Sequence, residues 1–224
     1  MQKIIEINHV GKVIENDRQR NVILKDICFS LEEGTVTAIV GKSGCGKSTL
    51  LSIISGIDAP TSGSVKLLGK DFYKMDTAGQ EQFRNENIGI LFQNYHLIPE
   101  LTCEENIRMP LCFSKKSKTN EKKLNQWIQG VGLAQKKKLF PNQMSGGEQQ
   151  RTAILRAIVN NPQMLFADEP TGALDSKTGD SIIKFLLQYA HNANKTILLV
   201  THDKDIAAQC DRVIEMADGR IASA

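Results

Sequence analysis

Gly41-Lys42-Ser43-Gly44-Cys45-Gly46-Lys47-Ser48-Thr49 fits the phosphate-cradling pattern of glycine, four residues, glycine, lysine and a hydroxyl residue. The run before it, Thr35-Val36-Thr37-Ala38-Ile39-Val40, is apolar and β-rich, and Leu50-Leu51-Ser52-Ile53-Ile54 after it carries apolar residues spaced for the buried side of a helix. Strand, glycine loop and helix are the context this motif needs. Gly41, Gly44 and Gly46 let backbone N–H groups close on phosphate oxygens, and the following helix offers its positive end. Lys47 reaches the outer phosphates and Ser48 can hold Mg²⁺. The expected chemistry is nucleotide binding, with Cys45 as a thiol inside the cradle that a bulky reagent would block.

The whole chain narrows the class. Its 224 residues suffice for a real core, and 41% hydrophobic with 24% charged residues is ordinary for a soluble globular protein. A net charge of +3 gives no argument for nucleic acid. No apolar run reaches the length of a membrane span, and Met-Gln-Lys-Ile-Ile-Glu does not read as a signal peptide. The expected location is the cytosol, unless a partner holds the chain at a membrane. The five cysteines are odd in number, scattered and without paired metal-ligand spacing, so they read as reduced thiols.

Working outward, Ile4, Ile5 and Ile7, then Ile27, Phe29 and Leu31, alternate as strands of an antiparallel sheet, with polar Glu15 to Asn21 as an exposed turn between them. Ala59-Pro60-Thr61-Ser62-Gly63 is a turn leading to a returning strand, Ser64 to Gly69. Asp76 to Asn87 reads as a surface helix, and Ile88 to Phe92 as a buried strand ending at Gln93. From Asn94 to about Pro141 the β-branched runs stop and lysines gather at 115, 116, 118, 122, 123, 136, 137 and 138. This reads as a helical lobe whose basic face meets either solvent or an anionic lipid or acidic partner. Beside Gln93, the apolar cluster Tyr95, Leu97, Ile98 and Leu101 is either lobe core or a docking patch.

Ser145-Gly146-Gly147-Glu148 opens a long helical pattern with capping-box spacing. Its two glycines exceed what a cap requires, and suggest close approach of the backbone to an anion. Met164 to Ala167 reads as a central parallel strand delivering Asp168 and Glu169 at its end, where ligands bind in such sheets. After a helix from Ser176 to about Ala193, strand Thr196 to Val200 ends at Thr201-His202-Asp203. Arg212 to Met216 and Arg220 to Ile221 form a hairpin around Asp218-Gly219.

These motifs, in this order, resemble the ATP-binding subunit of an ABC transporter from about Ile4 to Ile221. Gln93 resembles the glutamine loop, and Met144-Ser145-Gly146-Gly147-Glu148-Gln149-Gln150-Arg151 the signature. Asp168-Glu169 end the acidic strand, Pro170-Thr171-Gly172-Ala173-Leu174-Asp175 resembles the aspartate loop and His202 the switch histidine. The Thr171-Gly172 variant further resembles the branch of macrolide and peptide exporters, lipoprotein-release and bacitracin-resistance transporters and the cell-division ATPase. The resemblance implies one α/β domain over 1–224: a P-loop core, an antiparallel β lobe and a helical lobe inserted at about 94–160. It implies ATP and Mg²⁺, with Ser48, Gln93 and Asp168 at the metal, Glu169 as general base, and His202 and Lys47 at the γ-phosphate. The nucleotide would contact Gly41, Lys42, Ser43, Gly44, Cys45, Gly46, Lys47, Ser48 and Thr49. It also implies an ATP-dependent homodimer in which Ser145, Gly147 and Gln149 of one subunit meet the ATP of the other. The family's adenine-stacking aromatic falls here at Ile14, which lacks a ring.

The function so implied is an ATPase powering a separate membrane permease, peripheral on the cytoplasmic face of the cell membrane and touching the membrane only through that permease. Its cargo would be a peptide, drug or lipoprotein. The alternative is a regulatory ATPase transmitting force to a cell-wall enzyme. A soluble ABC protein of DNA repair or translation fits poorly, since there is one cassette, no coiled-coil insertion and no strong basic patch.

Overall fold

The computed structural model describes residues 2–16, 19–114, 121–172 and 176–223. β1 (Lys3–Asn16) and β2 (Gln19–Glu32) make a long antiparallel hairpin that buries Ile5, Ile7 and Val10 from one arm and Leu24, Ile27 and Leu31 from the other. The strands run further than the expected turn at Glu15 to Asn21. Glu15 pairs with Arg20 and Ile14 with Asn21 in the ladder. An opposite-charge pair and β-branched residues such as Ile14, Val22 and Ile23 favour continued pairing over a loop. Residues 17 and 18, at the tip, lie outside the described residues.

β3 (Val36–Val40) and α1 (Lys47–Ile54) flank the phosphate loop. β4 (Ser62–Leu67) and β5 (Lys70–Asp71) return to the hairpin, completing a four-stranded sheet in the order β2-β1-β4-β5. α2 (Thr77–Asn87), capped by the Asp76 side chain, leads into β6 (Ile88–Leu91). The next segment holds α3 (Cys103–Arg108), a short 3₁₀ turn at Met109–Phe113, α4 (Glu121–Gly130) and α5 (Gly146–Ile158). β7 (Met164–Asp168), α6 (Ser176–Ala193), β8 (Thr196–Val200) and α7 (Lys204–Ala207) follow. β9 (Arg212–Ala217) and β10 (Arg220–Ser223) form the expected hairpin, with Asp218 and Gly219 both at positive φ, as a tight primed turn requires.

The second sheet runs β10-β9-β3-β8-β7-β6, parallel except for β10. Its central strands are buried almost throughout because both faces are covered, with Thr37, Thr196 and Asp168 their polar members. Ile39, Phe166, Leu198 and Val200 join α1 and the antiparallel sheet in one core. Ala38, Leu165, Ala167, Ile197 and Leu199 join α5, α6 and the helical lobe in the other. The fold is thus the expected nucleotide-binding α/β core with an antiparallel β lobe and a helical lobe. Within that lobe Asn106 is fully buried; it accepts the Ile98 N–H and donates to the carbonyls of Ile98, Leu101 and Thr102. Of the lysine run, Lys136 pairs with Glu148 and Lys137 reaches Glu104, while Lys122 and Lys123 are exposed. Lysines 115, 116 and 118 lie outside the described residues.

Candidate functional site

Three neighbouring parallel strands, β3, β8 and β7, end on the same side of the sheet, and each delivers part of one site. β3 runs into the phosphate loop. There Gly41 has φ 154° and a Cβ on it would sit 2.3 Å from the Met216 carbonyl; Gly46 has φ 101° and its Cβ would meet Leu24 at 2.8 Å. Side chains at either place would break the loop's seat against β9 and the hairpin. Lys47 is 7% exposed, its ammonium donating to the carbonyls of Gly41 (2.8 Å) and Lys42 (3.0 Å). The amine is thereby curled over the loop it would use to hold phosphates. Cys45 is buried in the core and its Sγ lies 4.0 Å from the Lys47 ammonium. The thiol is therefore less reachable than its place in the motif suggests.

β7 brings in Asp168, whose Oδ1 accepts the Ser48 hydroxyl at 3.1 Å. Burial pushes the Asp168 carboxyl above its ordinary value; the Ser48 hydrogen bond opposes this, the Glu169 charge adds to it and Lys47 opposes it. A hydroxyl and a half-buried carboxylate oxygen in contact are hard ligands suited to Mg²⁺, which keeps its other positions for phosphate and water. The next residue, Glu169, has φ 44°, a costly conformation for a residue with a side chain. Its N–H donates to the Val200 carbonyl and its Oε2 lies 2.9 Å from His202 Nδ1, at the end of β8. The two adjacent carboxylates are thus divided by the backbone, one toward Ser48 and the other toward His202.

Ser145 caps α5 in a full capping box: Glu148 Oε2 accepts the Ser145 N–H at 2.8 Å, and Ser145 Oγ accepts the Glu148 N–H at 3.3 Å. The N–H groups of Gly146 and Gly147 enter no hydrogen bond among the described residues, leaving donors at the positive end of the helix. Gln149 donates to the Pro141 and Met144 carbonyls, which steadies the turn before the helix. No hydrogen bond among the described residues joins Ser145, Gly147 or Gln149 to the phosphate loop. Ala173, Leu174 and Asp175 of the aspartate-loop segment lie outside the described residues.

Sequence reasoning passed over two braces. Buried Gln150 donates to the Pro170 carbonyl at 2.5 Å, tying α5 to the chain just after Glu169. Arg156 donates to the carbonyls of Tyr95 (2.6 Å) and His96 (2.5 Å), both at positive φ, and so holds the turn that follows exposed Gln93. An arginine among the apolar residues of α5 was the available signal. Tyr95 and Leu97 pack partly against the helical-lobe core, so the cluster beside Gln93 is not a free patch. The apolar surface lies nearby instead. A groove of about 1120 Å³ runs between α2, β6 and the 3₁₀ turn, lined by Ile90, Phe92, Met109, Pro110 and Phe113 with Arg84 at its edge. Asn85 and Asn160 both donate to the Pro110 carbonyl and fix its walls.

Ile14 is 46% exposed near the tip of the hairpin, whose Ile23 and Leu24 pack on the phosphate loop and on Gly219. The motif order, by resemblance, puts the adenine base at Ile14. Ile14→Tyr is expected to tighten ATP binding about fivefold, since aromatic stacking adds about 1 kcal/mol. Displacement of a fluorescent nucleotide by ATP and by GTP measures this. Unchanged affinity for both nucleotides removes Ile14 from the base site.

Over residues 24–172 the sequence matches the ABC transporter family. The lipoprotein-releasing system ATP-binding protein LolD of Shewanella frigidimarina is 39% identical over 219 residues, which cover 97% of this chain and 92% of the relative. The macrolide export ATP-binding/permease protein MacB of Aggregatibacter actinomycetemcomitans is 41% identical over 221 residues, 98% of this chain but 34% of that much longer protein. Among solved structures, the ATP-binding cassette MJ0796, seen as a dimer in a post-hydrolysis state with ADP and Pi, is 35% identical. It matches with a TM-score of 0.90 over 98% of this chain and 97% of its own.

Proposed function

Because the chain belongs to the ABC transporter family, in which it is an ATP-hydrolysing cassette, we propose that it powers a separate membrane permease in export or in extraction of a lipoprotein. The observation that carries the chemical part is the convergence of Lys47, Ser48, Asp168, Glu169 and His202 at three adjacent strand ends. Lys47 leaves its loop carbonyls for the outer phosphates of ATP, and the loop amides hold the remaining oxygens. Ser48 and Asp168 would hold Mg²⁺, with Gln93, two residues beyond β6, as the further ligand the family's motif order implies. When bound, Mg²⁺ neutralises charge on the phosphoryl group in transfer. Glu169 orients the attacking water and accepts its proton, and His202, beside it, steadies the γ-phosphate.

The open donors at the start of α5 suit the partner subunit's ATP, so two copies close head to tail, each completing the other's site. The dimeric state of MJ0796 supports the pairing of two copies. Among the described residues no helix is long and apolar enough to cross a membrane, consistent with a peripheral subunit held at the cytoplasmic face by its permease. The lipoprotein-releasing system ATP-binding protein LolD, nearly coextensive with this chain, supports the reading of an energy-supplying subunit.

The groove beside Gln93 is the permease contact in this reading. Phe113 is 71% exposed at its rim, a large apolar side chain for a partner to cover. Affinity purification of the tagged chain from solubilised membranes is expected to recover a polytopic protein. Phe113→Glu should lose most of that recovery while isolated ATPase activity stays within about twofold, as expected for an exposed surface change. Failure of the parent to recover a membrane protein overturns the proposal; undiminished recovery by the variant overturns the docking site alone.

A further inference from the structure

A second cluster of metal-ligating groups lies on the antiparallel lobe, on the exposed face of its long hairpin. On β2, Asp26 and Cys28 flank fully buried Ile27 and so project to the opposite, exposed face of the strand. On β1 the register with β2 shifts between Ile7 and Val10, and His9 sits inside that irregularity with φ 52°. Asp26 has φ 57°. Facing irregularities of this kind re-aim side chains, and here they gather three different ligands. His9 Nδ1 lies 2.6 Å from Asp26 Oδ1, and one ligand atom from each of His9, Asp26 and Cys28 falls within 4.8 Å of the others. The His9 backbone N–H donates to Cys28 Sγ at 3.1 Å, which fixes the sulfur beside the residue that supplies the imidazole.

We propose that His9, Asp26 and Cys28 form a zinc-class metal site. One imidazole nitrogen, one carboxylate oxygen and one thiolate are the ligand types Zn²⁺ takes, and three protein ligands leave its fourth position to water. The thiolate and imidazole discriminate against Mg²⁺, which prefers all-oxygen surroundings, so this site is chemically separate from the one at Ser48 and Asp168. Its exposure allows direct loading from solution. The spacing Asp-x-Cys, completed by a histidine seventeen residues earlier, escapes a sequence search tuned to paired cysteines.

The test uses the full chain, Zn²⁺ as the probe, excess Mg²⁺ to occupy oxygen sites, and mass-spectrometric rates of thiol alkylation. Exposed Cys112 serves as an internal control. At about ten times the dissociation constant, Zn²⁺ should slow alkylation of Cys28 about tenfold and leave Cys112 unaffected. His9→Asn and Asp26→Asn remove one ligand each but keep a residue type that accepts positive φ, so the hairpin stays folded. Both should lose the protection. Co²⁺ should give the near-ultraviolet thiolate charge-transfer band in the parent and none in Cys28→Ser. Equal Cys28 alkylation rates with and without saturating Zn²⁺, or protection that survives in both asparagine variants, overturns the site.

Discussion

Glu169→Gln is expected to reduce ATP turnover by about 10²–10⁴-fold, the usual contribution of a positioned general base, while leaving ATP binding intact. The prediction follows from where the backbone aims this side chain. Positive φ at Glu169 turns it away from Asp168 and Ser48 toward His202, 2.9 Å from Nδ1. Glutamine keeps the length and one carbonyl oxygen for the histidine, but has no oxygen basic enough to take a proton from water. ATP would then bridge Lys47 of one copy and the start of α5 in the other without being consumed. The variant should accumulate as a dimer in Mg-ATP and return to monomer when nucleotide is removed. Phosphate release read beside size-exclusion chromatography checks both halves. Turnover at the parent rate removes Glu169 as the base; loss of turnover without dimer formation leaves the base assigned and makes closure depend on the permease.

The parts of this site that were legible in the sequence are those built from contiguous residues. The phosphate loop, the capping box at Ser145 and Glu148 and the acidic strand end each bring their chemistry within a few positions, and local conformation alone assembles them. Legibility fell where chain segments distant in sequence meet. The strand order β10-β9-β3-β8-β7-β6 places Glu169 beside His202, thirty-three positions later, and only the ladder between β7 and β8 shows it. Arg156 bracing the Tyr95–His96 turn and Gln150 holding Pro170 have no periodic signature, because each is a single polar side chain reaching a backbone carbonyl. The hairpin outruns its sequence signal for a related reason: Glu15 and Arg20 are polar when taken alone, and favour a strand only as a cross-strand pair. Tyr95 and Leu97 illustrate the converse, apolar residues whose packing partners lie in other helices and whose role cannot be read from their own neighbourhood.

Asp168→Asn should separate stability from ligand binding, with opposite signs. Burial raises the Asp168 carboxyl above its ordinary value, so the folded chain binds that proton more tightly than the unfolded chain does. The associated stability is present below the unfolded value and lost as pH rises through the raised folded one. At neutral pH the ionised carboxylate therefore weighs against the ligand-free fold, a cost that Mg²⁺ would offset. Asparagine removes the charge and can still meet the Ser48 hydroxyl. Ligand-free Asp168→Asn is expected to melt above the parent at pH 7, and the gap should close as acidification protonates the parent's carboxyl. With nucleotide the order reverses. Mg-ATP at about a hundredfold excess over its dissociation constant stabilises a binding protein by about 2.7 kcal/mol, or about 5–10 °C for a chain of this size. The variant should lose most of that shift because its remaining oxygen carries no charge for the metal. Differential scanning fluorimetry across pH, with and without Mg-ATP, reads both effects. A parent-sized Mg-ATP shift in Asp168→Asn removes Asp168 from the metal site, and a lower ligand-free melting temperature at pH 7 shows that the Ser48–Asp168 contact outweighs the burial of its charge.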